Sequence, residues 1–280
     1  MPSVSQLELE HCKELALIPG SLFEFTSRFI TAPRQHQLLA LYALTRSVNS
    51  IPISSVDDAV KWTKLKWWSE ELLADPASPS RHPVVRALWQ SGARSRLEDG
   101  LLVRLINDAI RRIDAAPDAS EDAMFKRLAL QGETGILLES ALDGAEISGQ
   151  ELANRATASE LFSLVSSQLS SGHRRDLHLP LDLLARYQIN ATRLAQEPPP
   201  KEWLSVISHL ADKGIQWFKQ ASPGLESSMV DCRHLKLRWA MEARQLARIS
   251  RRTRQLLRTG IRYGPTDAWF AWRFCRRFKT

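Results

Sequence analysis

The 280-residue sequence is poor in the features that mark several protein classes. Its three cysteines, Cys12, Cys232 and Cys275, are odd in number and far apart, which argues against a disulfide framework and fits a reducing compartment. Glycine and proline number only 12 and 14, so collagen-like and low-complexity proteins are excluded. No apolar run approaches the ~18 residues of a membrane span. Residues 1–20 resemble neither a signal peptide nor a transit peptide, and we expect a cytoplasmic bacterial protein.

Charge is distributed unevenly along the chain. The 38 Lys and Arg against 31 Asp and Glu give a net charge of +7. Residues 231–280 hold 14 of the basic residues and only three acids, so this segment alone carries +11 and the remainder −4. A basic segment attracts phosphates, anionic lipids or acidic proteins, but its charge does not distinguish among them.

Helical periodicity dominates the sequence, and no hairpin turn between alternating strands is evident. We therefore predict an all-α fold in a single domain over residues 1–280, with a basic helical segment at 231–280. The expected helices cover residues 5–17, 21–30, 33–48, 55–74, 82–92, 98–114, 121–143, 149–171, 181–187, 201–220, 231–259 and 266–277.

The segment 231–259 has the clearest amphipathic pattern. One face is apolar and is formed by Leu235, Trp239, Leu246, Ile249, Leu256 and Leu257. The opposite face carries arginines at the same spacing, Arg244, Arg248, Arg251 and Arg258. This pattern is typical of a solvated helix face. It also suits a docking surface for an acidic protein or an anionic membrane, which would place the protein at the membrane periphery. Nucleic acid is not expected, because no known nucleic-acid-binding module accompanies the charge.

Common catalytic motifs are absent from the sequence. It has neither the GxxxxGK[ST] nor the GxGxxG loop that holds phosphates, and no HExxH or paired Cys and His spacing for a metal. It also lacks the GxSxG turn of many hydrolases. These absences exclude the motif-bearing nucleotide-binding, zinc and hydrolase classes.

Four segments together resemble the squalene/phytoene synthase family. They are FITAPR followed by ALYALTR (29–34 and 40–46), KLKWWSEEL followed by HPV (64–72 and 82–84), QGETG (131–135) and LHLPLD (177–182). The resemblance implies an isoprenoid-synthase-like helical barrel or bundle around a central cavity. It further implies that Tyr42, Arg46 and Asn49 line this cavity, which would hold an isoprenoid or lipid-like ligand. For Tyr42 and Arg46 the alternative is packing in the core with a satisfied ion pair.

The resembled family uses two Asp-rich motifs to hold the Mg²⁺ ions that bind the substrate diphosphate. The aspartate positions of the first motif are Asn49 and Ile53 in this sequence, and Pro52 predicts that the helix ends near Asn49. The positions of the second motif are Ser167 and Ser171. We therefore expect no catalytic residues, no metal ligands and no cofactor.

A subgroup of the family is a closer fit. The stretches GHRR (172–175) and LPLD (179–182), with the AWR at 271–273, are similar to the mitochondrial complex I assembly factor of this superfamily. That resemblance implies a non-catalytic binding or assembly factor, in which Arg174 and Arg175 either bind a phosphate or acidic partner or lie in a solvated loop. The alternative is an active prenyltransferase that condenses isoprenoid diphosphates with displaced metal ligands, and only this alternative requires Mg²⁺.

Overall fold

The computed structural model describes residues 6–75, 80–113, 115–169, 179–190, 201–221 and 233–277, and all regular secondary structure in these ranges is helical. The α-helices are α1 Gln6–Ala16, α2 Leu22–Ser27, α3 Ala32–Ser50, α4 Asp58–Leu73, α5 Pro83–Gln90, α6 Asp99–Arg111, α7 Glu121–Asp143, α8 Gly149–Leu169, α9 Leu181–Arg186, α10 Lys201–Ala221, α11 Arg233–Thr259 and α12 Pro265–Arg277. A short 3₁₀ helix covers Arg94–Arg96. The predicted all-α class is confirmed. No helix of the described ranges is long and apolar enough to cross a membrane.

Helix boundaries differ from the prediction where capping decides them. The sequence pattern places the start of α4 at Ser55, but the helix begins at Asp58. The carboxylate of Asp57 accepts a hydrogen bond from the backbone N–H of Ala59 at 2.8 Å and thereby caps the first turn. A capping interaction of this kind stabilises a helix start by about 1 kcal/mol, enough to choose between neighbouring start sites.

Two compact units make up the chain. Unit 1 comprises Met1–Ala115, Thr134–Glu146 and Asp231–Leu235. Unit 2 comprises Ala116–Glu133, Ile147–Val230 and Lys236–Thr280. Each candidate feature below lies within one of these units. A single domain over residues 1–280 stays a prediction.

Helix α3 is the central element of unit 1. It packs against α1 and α5, and four of its leucines, Leu38, Leu39, Leu41 and Leu44, are at most 2% exposed. A helix whose leucines are buried on several sides contributes to the core along its length. Pro33 lies in its first turn, and the chain leaves the helix after Ser50, just before Pro52. Val48 and Ile51, on either side of Asn49, are also buried in this core, so the last turn of α3, which carries Asn49, is packed.

Helix α11 contributes most of its length to unit 2. Trp239, Leu246, Ile249 and Leu256 are buried, as the amphipathic pattern predicts, and the arginine face is partly or fully exposed. The helix ends at Thr259 and is followed by Gly260, whose φ of +67° is a left-handed conformation that glycine adopts without steric cost. This turn allows α12 to begin only five residues later.

Candidate functional site

The first Asp-rich position is occupied by Asn49, whose side chain is bound by an arginine. The guanidinium of Arg112, at the end of α6, donates a hydrogen bond to Oδ1 of Asn49. Arg112 also donates from Nε to the backbone carbonyl of Asp108, at 3.2 Å. The oxygen that Asn49 offers is neutral, and the group directed at it carries a positive charge.

The carboxylate next to this arginine is engaged as well. Asp108 is 8% exposed and accepts a hydrogen bond from the hydroxyl of Thr134 at 2.5 Å. Its other oxygen pairs with Arg111 at 2.6 Å. Asp108 therefore serves to tie α6 to the second half of α7, and both of its oxygens have partners.

Ile53, the second position of the first motif, lies beyond the end of α3 and is 71% exposed. Two side chains four residues apart share a face only while the helix continues. Since the helix stops at Ser50, Asn49 and Ile53 do not share one helix face. The predicted end of this helix near Asn49 is confirmed.

The second Asp-rich position, Ser167, is exposed on α8 in unit 2. Its hydroxyl donates to the carbonyl of Leu164 in its own helix, at 2.7 Å. Ser167 lines a cleft of about 230 Å³ together with Ser163 and Glu160 of α8 and Arg127 of α7. This cleft contains one carboxylate and one guanidinium. Ser171 lies outside the described residues.

Three acids that could replace the missing motif carboxylates have structural partners instead. Asp57 caps α4, and Asp58 pairs with Lys61 at 2.8 Å. Asp143 forms an ion pair with Arg34. Within the ranges that the structure describes, no three His, Cys, Asp or Glu side chains lie close enough to hold a metal ion.

Tyr42 and Arg46, the two expected cavity residues of α3, lie in different surroundings. Tyr42 is half-buried, stacks on Phe23 with ring centroids 3.6 Å apart, and donates from Oη to Glu139 at 3.0 Å. Arg46 is exposed one turn later. Their role in lining a cavity stays a prediction.

Glu139 and His234 extend the Tyr42 interaction into a buried polar network of unit 1. Nδ1 of His234 lies 3.1 Å from the other Glu139 oxygen, and Nε2 lies 3.2 Å from the hydroxyl of Thr26. Glu139, His234 and Thr26 are at most 5% exposed. The two ring nitrogens of His234 thus bridge Glu139 and Thr26. Because these groups are buried, a substrate does not reach them in this structure. We therefore interpret the network as one that orients side chains.

Sequence reasoning did not find this network. Glu139 is the one acid within the apolar stretch GILLESAL of α7, and an acid in such a stretch is a signal of a buried polar contact. His234 carries no such signal, because its partners lie 95 and 208 residues away in sequence. Only the fold brings these groups together.

The C-terminal arginines of the predicted docking face lie in unit 2. Arg244 pairs with Asp267 at 3.0 Å, and Arg248 donates to the carbonyl of Arg262 at 3.0 Å. Arg251 and Arg258 are exposed. Arg174 and Arg175, the other expected anion-binding residues, lie outside the described residues.

Tyr263 lies close to this group of arginines. Burial raises the pKa of its hydroxyl, and the charges of Glu242 and Asp267 raise it further. The phenol therefore stays protonated and adds no negative charge to this part of unit 2.

Comparison with known proteins gave one sequence match and two informative structural matches. The model of the squalene/phytoene synthase family matches residues 20–125. No curated protein sequence matches the chain. The crystal structure of a dehydrosqualene synthase in complex with ligand superposes with a TM-score of 0.69 and 12% identity, covering 98% of this chain and 96% of that chain. Squalene synthase HpnC from Alicyclobacillus acidocaldarius superposes with a TM-score of 0.58 and 18% identity, covering 87% and 93%.

These comparisons bear on family and fold in different ways. Structural likeness at such low identity shows the fold, here the helical fold of the isoprenoid synthases. The sequence match includes Asn49 and Ile53 and the segments that carry the first two resemblances. The chain is thus similar to the squalene/phytoene synthase family in sequence over residues 20–125 and in fold over most of its length.

Proposed function

We propose that this chain is a non-catalytic squalene/phytoene-synthase-like protein that acts by binding, as a scaffold or assembly factor. The observation that carries the proposal is the hydrogen bond from Arg112 to Asn49. A guanidinium there occupies the side-chain oxygen that the first motif would otherwise direct at a metal ion.

The donor set at this position does not suit Mg²⁺. Magnesium in diphosphate-binding sites is held by carboxylates and substrate oxygens. Asn49 offers one neutral oxygen, and Ile53 offers none. A like charge about 4 Å from a cation costs roughly 4 kcal/mol per unit charge near a protein surface, so the Arg112 guanidinium opposes a dication at Asn49. Without the metal, departure of the diphosphate loses its electrophilic assistance.

The second motif position supports the same proposal. The Ser167 hydroxyl is bonded to its own helix backbone. The cleft beside it is lined by Glu160 and by Arg127, whose guanidinium pairs with Asp118 at 2.7 Å. Hard divalent cations favour several convergent oxygen ligands with negative charge, and this cleft has one carboxylate beside a guanidinium. We propose that the fold takes an isoprenoid or lipid-like ligand without converting it. The similarity of residues 172–175 and 271–273 to the complex I assembly factor favours an assembly role.

The test is formation of a condensed prenyl product. Purified full-length protein is incubated with Mg²⁺ and either farnesyl or geranylgeranyl diphosphate, and the hydrocarbon extract is examined by mass spectrometry. A dehydrosqualene synthase in the same buffer is the positive control, and circular dichroism verifies that the chain is folded. We expect no condensed product with either substrate. Mg²⁺-dependent condensation would establish the alternative, an active prenyltransferase with displaced metal ligands.

A further inference from the structure

Helix α12 exposes two tryptophans on one face. Trp269 is 58% exposed and Trp272 is 50% exposed, and their spacing of three residues places them on the same side of the helix. Asp267 and Ala271 are buried and hold the opposite side of α12 within unit 2. The tryptophans are therefore presented to solvent by a helix that is fixed in place.

The guanidinium of an arginine lies over each of these two tryptophan rings. The guanidinium of Arg273 lies 5.3 Å from the Trp269 ring centroid, and that of Arg276 lies 4.6 Å from the Trp272 ring centroid. Both arginines are exposed. The face thus combines large apolar rings with positive charge at the same positions.

An arginine-lined cleft of about 550 Å³ lies next to this helix in unit 2. Its lining includes Arg244, Arg248, Arg251, Arg252 and Arg262. The only acid among the lining residues is Asp267, which is 3% exposed and bonded to Arg244, so four positive charges remain in excess. The backbone of α11 departs from helical geometry at Arg252, where two consecutive arginines line the cleft.

The charge of this surface contrasts with that of α4, the other helix with strongly exposed tryptophan. Trp62 is 45% exposed, but two of the three lysines of α4 have acidic neighbours. Lys61 pairs with Asp58 at 2.8 Å, and Lys66 lies 4.0 Å from Glu70. Among the described residues that line the arginine cleft, Asp267 is the one acid, and it lies 3.0 Å from Arg244 and 3.9 Å from Arg248.

We propose that these residues form a docking surface for an anionic lipid bilayer. The tryptophan–arginine surface consists of Trp269, Trp272, Arg273 and Arg276 with the five arginines of the cleft. Tryptophan favours the interfacial zone of a membrane, where its ring is apolar and its N–H is hydrated. Arginines bind lipid phosphates through paired N–H donors. A small free anion would need only the cleft, whereas a bilayer engages both the rings and the charges. This inference does not rest on the absence of catalysis.

The experiment is sedimentation of the full-length protein with vesicles. Vesicles of phosphatidylcholine are compared with vesicles of equimolar phosphatidylcholine and phosphatidylglycerol. We expect binding to the anionic vesicles alone, and weaker binding when the ionic strength rises from 0.1 M to 1 M, because the Debye length falls from about 10 Å to about 3 Å. Adding phosphate or diphosphate should release no more protein than chloride of equal ionic strength.

Two double variants separate the two components of the surface. Arg251→Gln/Arg252→Gln should weaken partitioning on the order of 25-fold, at about five-fold per charge near an anionic surface. Trp269→Ala/Trp272→Ala should weaken it by about tenfold or more through loss of apolar contact. The matched controls on α4 are Lys64→Gln/Lys66→Gln and Trp62→Ala, which should bind as the wild type does. Circular dichroism verifies the fold of each variant. One double variant removes only charges and the other removes only tryptophan rings, so each tests one component of the surface.

Three outcomes would overturn the proposal. Equal binding to neutral and anionic vesicles would contradict recognition of lipid charge. Normal binding by both double variants, or loss of binding only in the α4 controls, would move the contact away from the tryptophan–arginine surface. Release by diphosphate far beyond that by chloride, with normal binding by the tryptophan variant, would assign the cleft to a free phosphate ligand.

Discussion

The guanidinium of Arg112 and the side-chain oxygen of Asn49 are joined by a hydrogen bond that links the end of α6 to the last turn of α3. The two residues are 63 positions apart in sequence. The resemblance to the squalene/phytoene synthase family implies a metal-binding carboxylate at this position in active members. Under the non-catalytic proposal, this internal cation takes the place of the metal ion.

This relationship predicts the effect of restoring the acid. In Asn49→Asp, a charged pair with Arg112 replaces a neutral acceptor, and we expect the free energy of unfolding to rise by about 0.5–1 kcal/mol near neutral pH. Arg112 should lower the pKa of the new carboxyl, so this gain is present above its unfolded-state pKa of about 4 and is lost as pH falls through the lower folded-state value. Urea unfolding of both proteins measures it.

A double-mutant cycle provides the control. In the background of Arg112→Gln, the substitution Asn49→Asp should give no gain in stability, because the new carboxylate has lost its cation. An equal gain in both backgrounds would mean that Arg112 does not interact with position 49 in solution.

The QGETG segment predicts opposite effects of alanine at its two glycines. A Cβ at Gly132 would lie 2.8 Å from the carbonyl oxygen of Ala156 and 2.9 Å from Cγ of Glu160. A Cβ at Gly135 would meet no described atom within 4 Å. We expect Gly132→Ala to lower the free energy of unfolding by about 1–3 kcal/mol, because the backbone of α8 must move. Gly135→Ala should raise it by about 0.5–1 kcal/mol through helix propensity. Chemical denaturation measures both changes in unfolding free energy. A loss of stability in both variants would contradict a close approach that is confined to Gly132.

His82 predicts a pH dependence of stability. Its Nδ1 accepts a hydrogen bond from the backbone N–H of Val84 at 3.3 Å and caps α5. Burial, and then the nearby His11, lowers the pKa of His82 below its usual 6.5. The unfolded chain therefore binds the proton more readily, so the contribution is present above about pH 6.5 and is lost as pH falls through the lower folded-state pKa.

The matched variant is His82→Asn, which keeps a capping acceptor and removes the titration. Between about pH 7.5 and pH 5, the wild type should lose more unfolding free energy than this variant does. Equal losses in urea titrations at the two pH values would show that His82 is protonated equally in the folded and unfolded chains.

The cysteines differ in expected reactivity. Cys12 is 0% exposed, and burial, together with the charge of Glu8, raises the pKa of its thiol to about 12. Relative to an ordinary thiol near 9.0, its thiolate fraction at neutral pH is lower by about a thousandfold. In a Cys232→Ser background, a thiol reagent should modify the partly exposed Cys275 first and Cys12 only as the protein unfolds. Rapid modification of both under native conditions would contradict the burial of Cys12.

Local signals predicted the helices but not the contacts that define the site. The expected helix 121–143 agrees with α7 at both ends, and the end of α3 follows from Pro52. That Asn49 and Ile53 stand where the resemblance implies acids is also visible in the sequence. The identity of the group that meets Asn49 is not, because Arg112 reaches it through the packing of distant helices. The same holds for Glu139 and His234, whose pairing depends on a separation of 95 residues.

The most direct test of the non-catalytic proposal is release of diphosphate from farnesyl diphosphate, measured with and without Mg²⁺. This step precedes any condensation, so it reports ionisation even where no prenyl product accumulates. We expect the wild-type chain to release diphosphate no faster with Mg²⁺ than without it, and no faster than buffer alone. Release that depends on Mg²⁺ and exceeds the buffer rate would contradict the proposal and assign the chain to the active prenyltransferases.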